Sequence, residues 1–305
     1  MNKNYDVIII GCGPAGIGAA LELKKNNINF AIIEKGMPGG KVNIAPRVDN
    51  YPGFKEIPGP DLAMEFYNRI LKENIKIISD TVNSLTKEDD LFVLKCNKET
   101  YVTRAVLIAS GTTERKIGLD KEVELQGKGI SYCAICDGHF FRNKDVVIVG
   151  GGNSALKEAI HLAKIVNKLY IVHRRNEFRG SNKTLDELKA FTNVEIITPY
   201  IPVEILGEEY VTGLVIQNRE TNELKTLKVD GFFPLVGQDP NTQFVHIDGV
   251  LDEWKTIPFD KEMKTTVPGL FASGDVFNRP IRQIYLSEHD GKVASKHIIE
   301  YLGNK

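Results

Sequence analysis

The chain has little of what marks membrane, nucleic-acid-binding and secreted proteins. Its apolar runs stop well short of the roughly 20 residues that span a bilayer, so we expect no membrane partner. Lysines and arginines are spread along a chain whose formal net charge is -1, a pattern that does not favour nucleic-acid binding. The first residues lack the apolar core and cleavage site of a secretory leader, which predicts a cytoplasmic protein.

Cysteine is also scarce, with four residues in the whole chain. Cys133 and Cys136 form a Cys-x-x-Cys motif, which suits either a metal or a redox couple. A zinc site needs about four ligands, and no second cysteine or histidine pair follows at a suitable spacing, so we predict no metal. A dithiol/disulfide couple is the favoured interpretation. Cys12 and Cys96 stand alone and are expected to be small buried residues without chemistry.

Two segments carry the pattern of a dinucleotide-binding unit. The first runs from a strand at 6–10 through a glycine-rich loop and a helix to a second strand at 29–33. The loop has glycine at the positions of the tight turn, the pyrophosphate approach and the helix–strand contact, namely Gly11, Gly13 and Gly16. Glu34 ends the second strand, where a carboxylate can bind ribose hydroxyls.

The second unit repeats this plan with strands at 145–149 and 169–172 around the loop 150–155. Here the second strand ends in basic residues instead of an acid: His173, Arg174, Arg175 and, close behind, Arg179. Arginine binds a 2′-phosphate through charge-assisted bonds that a carboxylate would repel. The second unit is therefore predicted to bind NADPH rather than NADH. The carboxylate of Asp275, after a short strand and Gly274, suits a flavin, so FAD is predicted at the first unit.

Length and composition fit a globular chain of about two domains, with 305 residues, 42% of them hydrophobic. Buried strands at 105–111 and 231–237 both end in glycine and bound an inserted segment. We predict an α/β fold with two Rossmann-like, three-layer domains. The FAD-binding domain would comprise 1–112 and 239–305, and the inserted NADPH-binding domain, which carries the cysteine pair, would comprise 113–238.

Together these parts predict an oxidoreductase in which NADPH reduces a flavin and the flavin reduces the Cys133–Cys136 disulfide. The reduced pair can then attack an external disulfide. Asp137 either transfers a proton during this exchange or caps the next turn, and the residues alone leave both open. His139 is a second candidate for proton transfer.

The motifs, in this order and over nearly the whole chain, resemble the low-molecular-weight thioredoxin reductases. The matching segments are 11–16, Glu34, 38–41, 49–53, 133–138, 150–155, 173–175 with Arg179, 269–276 and 282–283. The resemblance implies a homodimer that acts in cell redox homeostasis. It also implies that the NADPH domain rotates relative to the FAD domain. It implies that Cys136 faces the flavin, Cys133 attacks thioredoxin or a thioredoxin-like protein, and Asp137 is the general acid/base.

The resemblance also implies two sets of cofactor-binding residues. The FAD set is Gly11, Gly13, Pro14, Ala15, Gly16, Glu34, Lys35, Gly40, Lys41, Asn50, Val82, Gly274, Asp275, Arg282, Gln283 and Ile284. The NADPH set is Gly150, Gly152, Asn153, Ser154, Ala155, His173, Arg174, Arg175 and Arg179.

The chain departs from this family's usual pattern in three places. Where the family usually has a Phe-Phe pair after Asp-Gly, this chain has His139 before Phe140 and Phe141. The resemblance implies that aromatic residues here help to dock thioredoxin. Lys41 replaces a common glutamine. The segment 284–291 is bulky and charged where the family usually has small residues, and we expect it to change the flavin environment or the dimer packing.

Two other functions remain open. The same fold could take electrons from ferredoxin or another donor, or could serve a different small disulfide protein, although the paired arginines favour NADPH. A non-enzymatic redox sensor would need an output surface, and none is evident in the sequence.

Overall fold

The computed structural model describes residues 4–45, 47–258, 260–277 and 282–303. The chain forms two compact units, one from Met1–Thr113 with Asp239–Lys305 and the other from Glu114–Gln238. We refer to them as the discontinuous unit and the central unit.

The bounds of the elements follow the chain. The first part of the discontinuous unit contains β1 (Asn4–Ile10), α1 (Pro14–Lys25), β2 (Phe30–Glu34), α2 (Gly59–Lys72), β3 (Ile77–Ser79), β4 (Val82–Glu88), β5 (Leu91–Cys96), β6 (Thr100–Ile108) and β7 (Thr112–Glu114). The central unit contains α3 (Ala134–Asp137), β8 (Asp145–Val149), α4 (Asn153–Ala163), β9 (Lys168–Val172), α5 (Asn182–Lys189), β10 (Val194–Ile197), β11 (Tyr200–Leu206), β12 (Gly213–Asn218), β13 (Leu224–Lys228) and β14 (Gly231–Pro234). The chain then returns through β15 (Gln238–Pro240), β16 (Leu270–Ala272) and α6 (Ile284–Gly303).

The main sheet of the discontinuous unit has the strand order β3-β2-β1-β6-β5-β4, with β16 also paired to β6. The pairs β1–β2, β1–β6, β2–β3 and β6–β16 are parallel. The apolar run of β1 is buried from Val7 to Ile10, as expected for a parallel strand covered on both faces. Helices α1 and α6 pack against each other and supply Ile17, Leu23 and Ile298 to the core.

The central unit has a parallel sheet of order β10-β9-β8-β14 and an antiparallel sheet of order β11-β12-β13. Alternate residues of β8 enter two different cores because successive side chains of a strand point to opposite faces. Val146 and Ile148 pack with the helices α4 and α5, whereas Val147 and Val149 pack with the antiparallel sheet. The unit is therefore built in three layers.

The predicted α/β fold with parallel sheets is confirmed. The two strands predicted to end in glycine end earlier than expected. β6 ends at Ile108 before Gly111, and β14 ends at Pro234 before Gly237, and both glycines have a positive φ, +65° and +122°. Among the described helices, none has the length and the apolar composition that a bilayer crossing requires.

Candidate cofactor and disulfide sites

The loop between β1 and α1 is shaped by glycines that no larger residue could replace. Gly11 has a φ of +104°, and a Cβ there would lie 2.5 Å from the carbonyl oxygen of Ala109. A Cβ on Gly16 would lie 2.0 Å from the carbonyl oxygen of Gly11. Both distances are far inside van der Waals contact, so the chain can turn this tightly into α1 only with glycine.

Gly13 is different, because a Cβ there would meet only the Cα of Gly40, at 3.9 Å. The open space beside Gly13 leaves room for a phosphate to approach the backbone. Helix α1 starts after Gly13 with Pro14 in its first turn and without a side-chain cap, so its first N–H groups can face an anion. The loop fits the pyrophosphate of FAD.

Glu34 lies at the end of β2 and is held by the backbone. Its Oε2 accepts a hydrogen bond from the N–H of Cys12 at 2.6 Å, and its Oε1 accepts one from Gly36 at 2.7 Å. These bonds keep the carboxylate beside the glycine loop, and its oxygens retain further lone pairs for ribose hydroxyls. The exposed Lys35 follows.

The two isolated cysteines have different surroundings. Cys12 is fully buried as predicted, and burial together with the charge of Glu34 raises the pKa of its thiol to about 12. The prediction that Cys96 is buried is wrong, since it is half-buried at the end of β5 where the strand leaves the core. Burial and nearby Asp80 raise the pKa of its thiol to about 12, so neither thiol is a ready nucleophile.

Residues predicted to bind FAD from the late part of the chain contact predicted ones from the early part. The Asn50 side-chain amide donates to Gln283 Oε1 at 3.0 Å. Lys41 forms an ion pair with Asp275 at 3.3 Å and donates to Thr112 at 2.9 Å.

Backbone contacts complete this arrangement. The N–H of Gly274 donates to Asp290 Oδ2 at 3.2 Å, and a Cβ on Gly274 would lie 3.0 Å from the Cβ of Ala15. Arg282 donates to the carbonyl of Phe277 at 3.4 Å, Ile284 begins α6, and Val82 is buried at the start of β4. Segments more than 200 residues apart in the chain thus meet around α1 and α6.

The second glycine loop, between β8 and α4, repeats the division of roles. A Cβ on Gly150 would lie 2.5 Å from the carbonyl oxygen of Leu235, whereas Gly152 has open space on that side. Ala155 is buried where the first loop has its third glycine, and Ser154 is exposed in the first turn of α4. Asn153 Oδ1 accepts a hydrogen bond from the N–H of Ser181 at 2.8 Å.

The basic residues surround this second loop. Arg174, Arg175 and Arg179 are exposed, and the N–H of Arg179 donates to the carbonyl of Gly151 at 3.0 Å. His173 is buried, with its ring against Gly151 and Phe178. Burial and the three arginines lower the pKa of His173. The neutral imidazole therefore supports the backbone beneath exposed cations that can reach a phosphate.

The cysteine pair is a disulfide on the short helix α3, with 5.3 Å between the Cα atoms of Cys133 and Cys136. Cys133 caps this helix, since its Sγ accepts a hydrogen bond from the N–H of Cys136 at 3.2 Å. The sulfur is thus held at the positive end of the turn, where a thiolate would be favoured after reduction.

Asp137, at the end of α3, is connected to this disulfide through Ser131. The Ser131 hydroxyl donates to Asp137 Oδ2 at 2.6 Å and accepts from the N–H of Cys133 at 3.1 Å. Asp137 is buried. A buried carboxylate that is linked to the cysteine backbone through one bridging hydroxyl fits a proton-transfer role. Ser131 was missed by the sequence analysis because a lone serine before the motif carries no signal.

Glu158 on α4 was also missed. Its Oε2 accepts a hydrogen bond from the N–H of Ala134 at 2.6 Å. Burial raises the pKa of this carboxyl to about 7, although the N–H groups of Ala134 and Ile135 act in the opposite direction. It stands three residues after Ala155 and four before Leu162, both buried on α4, and this place on an apolar helix face is a sequence signal that could have found it.

Comparison with known proteins agrees with this geometry. The sequence profile of the pyridine nucleotide-disulphide oxidoreductases matches residues 5–291. The chain belongs to this family. As a member it is a flavoprotein oxidoreductase, and the predicted cofactors FAD and NADPH are confirmed at the level of the family.

Individual members of the family resemble the whole chain. Thioredoxin reductase of Mycoplasma pneumoniae is 40% identical over 292 residues, which cover 95% of this chain and 93% of that protein. The crystal structure of thioredoxin reductase from Streptococcus pyogenes is 37% identical, with a TM-score of 0.93 and full coverage of both chains. A ferredoxin-flavin thioredoxin reductase from Clostridium acetobutylicum is 30% identical with full coverage and a TM-score of 0.55. The predicted resemblance to thioredoxin reductases is thereby confirmed.

Proposed function

We propose that this protein is an NADPH-dependent thioredoxin reductase. The observation that carries the proposal is the Cys133–Cys136 disulfide, which belongs to the same compact unit as the arginine-lined glycine loop. One unit thus holds both a reducible bond and a site suited to the 2′-phosphate of NADPH. The acidic Glu34 site belongs to the other unit.

In this proposal the discontinuous unit binds FAD and the central unit binds NADPH. The FAD contacts come from the loop 11–16, Glu34 and Lys35, the turn at Gly40 and Lys41, Asn50, Val82, Gly274 and Asp275, and residues 282–284. The NADPH contacts come from 150–155, His173, Arg174, Arg175 and Arg179. FAD, when bound, accepts hydride equivalents from NADPH and supplies an electron pair to the disulfide.

The residues of the chain carry out the exchange that follows. Two electrons and two protons convert the Cys133–Cys136 disulfide to a dithiol. The Cys133 thiolate attacks one sulfur of oxidised thioredoxin and displaces the other as a thiolate. Cys136 then attacks Cys133 in the mixed disulfide, which releases reduced thioredoxin and restores the internal disulfide. Asp137 supplies and removes protons during these steps, with Ser131 keeping its carboxylate in place.

We also propose that the protein is a cytoplasmic homodimer. During the cycle the central unit would rotate about the two segments in which the chain passes from one unit to the other, next to β7 and β15. Such a rotation lets nicotinamide and disulfide take turns at the flavin. Dimerisation is measurable by sedimentation of the purified protein.

The electron donor and acceptor are tested together. Purified protein would be mixed anaerobically with thioredoxin and with NADPH, NADH or reduced ferredoxin, and reduced thioredoxin would be measured. The proposal predicts catalytic turnover with NADPH and little with the other donors. Turnover with reduced ferredoxin but not with NADPH would show that the chain takes its electrons from ferredoxin. Bleaching of the flavin by NADPH without reduction of thioredoxin would move the search to another disulfide acceptor.

A further inference from the structure

The most unusual polar group of the discontinuous unit is Glu288, in the first turns of α6. It lies in the segment 284–291, which contains several bulky and charged residues. Its residue is only 6% exposed. A buried carboxylate is costly unless it is fully paired, so its partners indicate what it does.

Glu288 binds groups from three directions. Its Oε2 accepts a hydrogen bond from the hydroxyl of Tyr51 at 2.5 Å, and its Oε1 accepts one from Arg69 of α2 at 2.8 Å. Lys292, one turn further along α6, lies 3.1 Å from the same Oε1. Burial works against the charge, but the bonds from Arg69 and Tyr51 outweigh it and lower the pKa of Glu288 to about 2. The group is therefore an anion at any physiological pH.

The partners are themselves held in place by aromatic packing. The rings of Tyr51 and Phe66 meet edge to face with 5.3 Å between centroids, and the Arg69 guanidinium lies 5.7 Å from the Phe66 ring centroid. Tyr51, Phe66, Arg69 and Glu288 thus form one cluster, which we call the Glu288 cluster. It joins the loop before α2, the helix α2 and the start of α6.

This cluster lies next to the proposed flavin contacts. Asn50 precedes Tyr51 in the chain, and its side chain donates to Gln283, which comes just before α6. On the opposite side, a Cβ on Gly18 of α1 would lie 2.2 Å from the carbonyl oxygen of Glu288. The backbone of Glu288 therefore rests on the nucleotide helix while its side chain holds the loop that carries Asn50.

We propose that Glu288 is a positioning residue for the flavin site, whose buried carboxylate holds the Asn50 loop against α6 so that Asn50 and Gln283 meet. The inference rests on the proposed FAD site. The role proposed for the segment 284–291 is intramolecular. The side chain of Glu288 tethers three elements to one another, which a small residue at this position could not do. FAD bound here should be released slowly only while the tether is intact.

The test compares FAD release from holoenzymes carrying Glu288→Ala, Glu288→Gln and Tyr51→Phe. Release would be followed by the rise in free-flavin fluorescence, together with the visible spectrum and the thermal unfolding midpoint. We expect FAD release to accelerate about tenfold in Glu288→Ala, which removes the bonds from Tyr51 and Arg69 together and so frees the Asn50 loop. We expect smaller increases in Glu288→Gln and Tyr51→Phe, and a shift of the flavin absorption bands in all three.

A matched control is Asp252→Ala, which removes another carboxylate of the same unit, one that accepts hydrogen bonds from the N–H groups of Trp254 and Thr256. It should lower the unfolding temperature without changing FAD release. If Glu288→Ala and Tyr51→Phe behave like this control, Glu288 only stabilises the fold and the inference is overturned while the proposed function stands. Tyr51→Phe removes one hydroxyl and keeps the ion pair between Arg69 and Glu288. Its rate of FAD release therefore tests the inference even if Glu288→Ala does not fold. Wild-type protein purified without bound FAD and unable to take it up would instead contradict the proposed function itself.

Discussion

At the scale of single residues, the proposed chemistry depends on two sulfur atoms. Replacing Cys133 or Cys136 by Ser removes the disulfide that accepts the electron pair. We expect either variant to reduce thioredoxin at no more than about a thousandth of the wild-type rate, because thiol–disulfide exchange has no alternative path. Both should keep their flavin, measured by absorbance after gel filtration. The half-buried Cys96→Ser is the matched control and should retain full activity. Loss of flavin from the Cys133 or Cys136 variants would contradict the site assignment.

The exposed arginines give a prediction about cofactor choice. Replacing Arg174 and Arg175 together by Ala removes charge-assisted bonds to the 2′-phosphate, which NADH does not have. We expect the KM for NADPH to rise about 10- to 100-fold, with little change for NADH. Steady-state rates with both cofactors measure this, and Lys228→Ala, an exposed cation of the same unit, controls for net charge. An equal rise for both cofactors contradicts recognition of the 2′-phosphate.

Which residues could be predicted from sequence depends on whether their partners are local. Gly16 and the Cys133–Cys136 pair act through neighbours within a few positions. Gly11 packs against the distant Ala109, but it belongs to the same short glycine motif as Gly16, so spacing identifies all of them. Ser131 also contacts near neighbours, Cys133 and Asp137, but a lone serine forms no recognisable pattern. Glu158 and Glu288 act through contacts made only after folding. Glu288 reaches Arg69 across 219 positions of the chain, and no local pattern predicts such a pair.

At the scale of elements, the contact between α3 and α4 makes stability depend on pH. The pKa of Glu158 is raised from 4.5 to about 7 in the folded protein, so the folded state holds a proton that the unfolded state releases. The stabilisation is complete below pH 4.5 and is lost as the pH rises to about 7. The whole effect is at most about 3–4 kcal/mol, from about 1.4 kcal/mol per pKa unit.

The variant Glu158→Gln keeps an acceptor for the N–H of Ala134 but cannot titrate. Between pH 4.5 and 7 the oxidised wild type should lose stability relative to this variant, as measured by thermal unfolding at each pH. Parallel curves for the two proteins would contradict the raised pKa. Glu262→Gln, at an exposed ion pair with Lys264, is the control and should leave the slope of the wild-type curve above pH 4.5 unchanged.

The crossing of α1 and α6 gives a second prediction at this scale. A Cβ on Gly291 would lie 2.0 Å from the carbonyl oxygen of Ala15. Gly291→Ala should therefore push the helices apart, costing about 1–3 kcal/mol of unfolding free energy, and should also weaken FAD binding because Ala15 moves. Chemical denaturation and flavin fluorescence measure the two effects. Gly303→Ala, at the end of the same helix and with open space around it, should be neutral in both. If Gly291→Ala and Gly303→Ala have the same unfolding free energy and the same FAD affinity, the close contact between α1 and α6 is contradicted.

Among the elements, those of the two dinucleotide units follow from sequence most directly. The strands β1, β2, β8 and β9 are short apolar runs next to glycine loops, and buried parallel strands leave this signature. The antiparallel strands β11, β12 and β13 were not predicted. Their burial is irregular, with β13 mostly exposed, and β11 contains Pro202 followed by a register shift before Glu204. Neither a continuous apolar run nor a clean alternation therefore marks them.

At the scale of the whole molecule, the chain is a pyridine nucleotide-disulphide oxidoreductase in two compact units. The assignment of FAD to one unit and NADPH to the other stays a prediction, as do the homodimer and the acceptor. Each of these three predictions depends on a surface that binds another molecule: a cofactor, a second subunit or a disulfide substrate. Phe141 is buried in the core of the central unit, whereas His139 and Phe140 are partly exposed, and kinetics with different thioredoxins would measure whether His139 affects the choice of acceptor.

The most direct test of the central claim, that the disulfide lies in the electron path from NADPH, is an anaerobic titration followed at the flavin absorption band. Each NADPH delivers two electrons, and a flavin plus a disulfide accept four. The wild type should therefore need about two equivalents of NADPH per subunit for complete bleaching, and the Cys133→Ser/Cys136→Ser variant about one. If both proteins bleach with the same single equivalent, the disulfide takes no electrons from the flavin and the account is wrong.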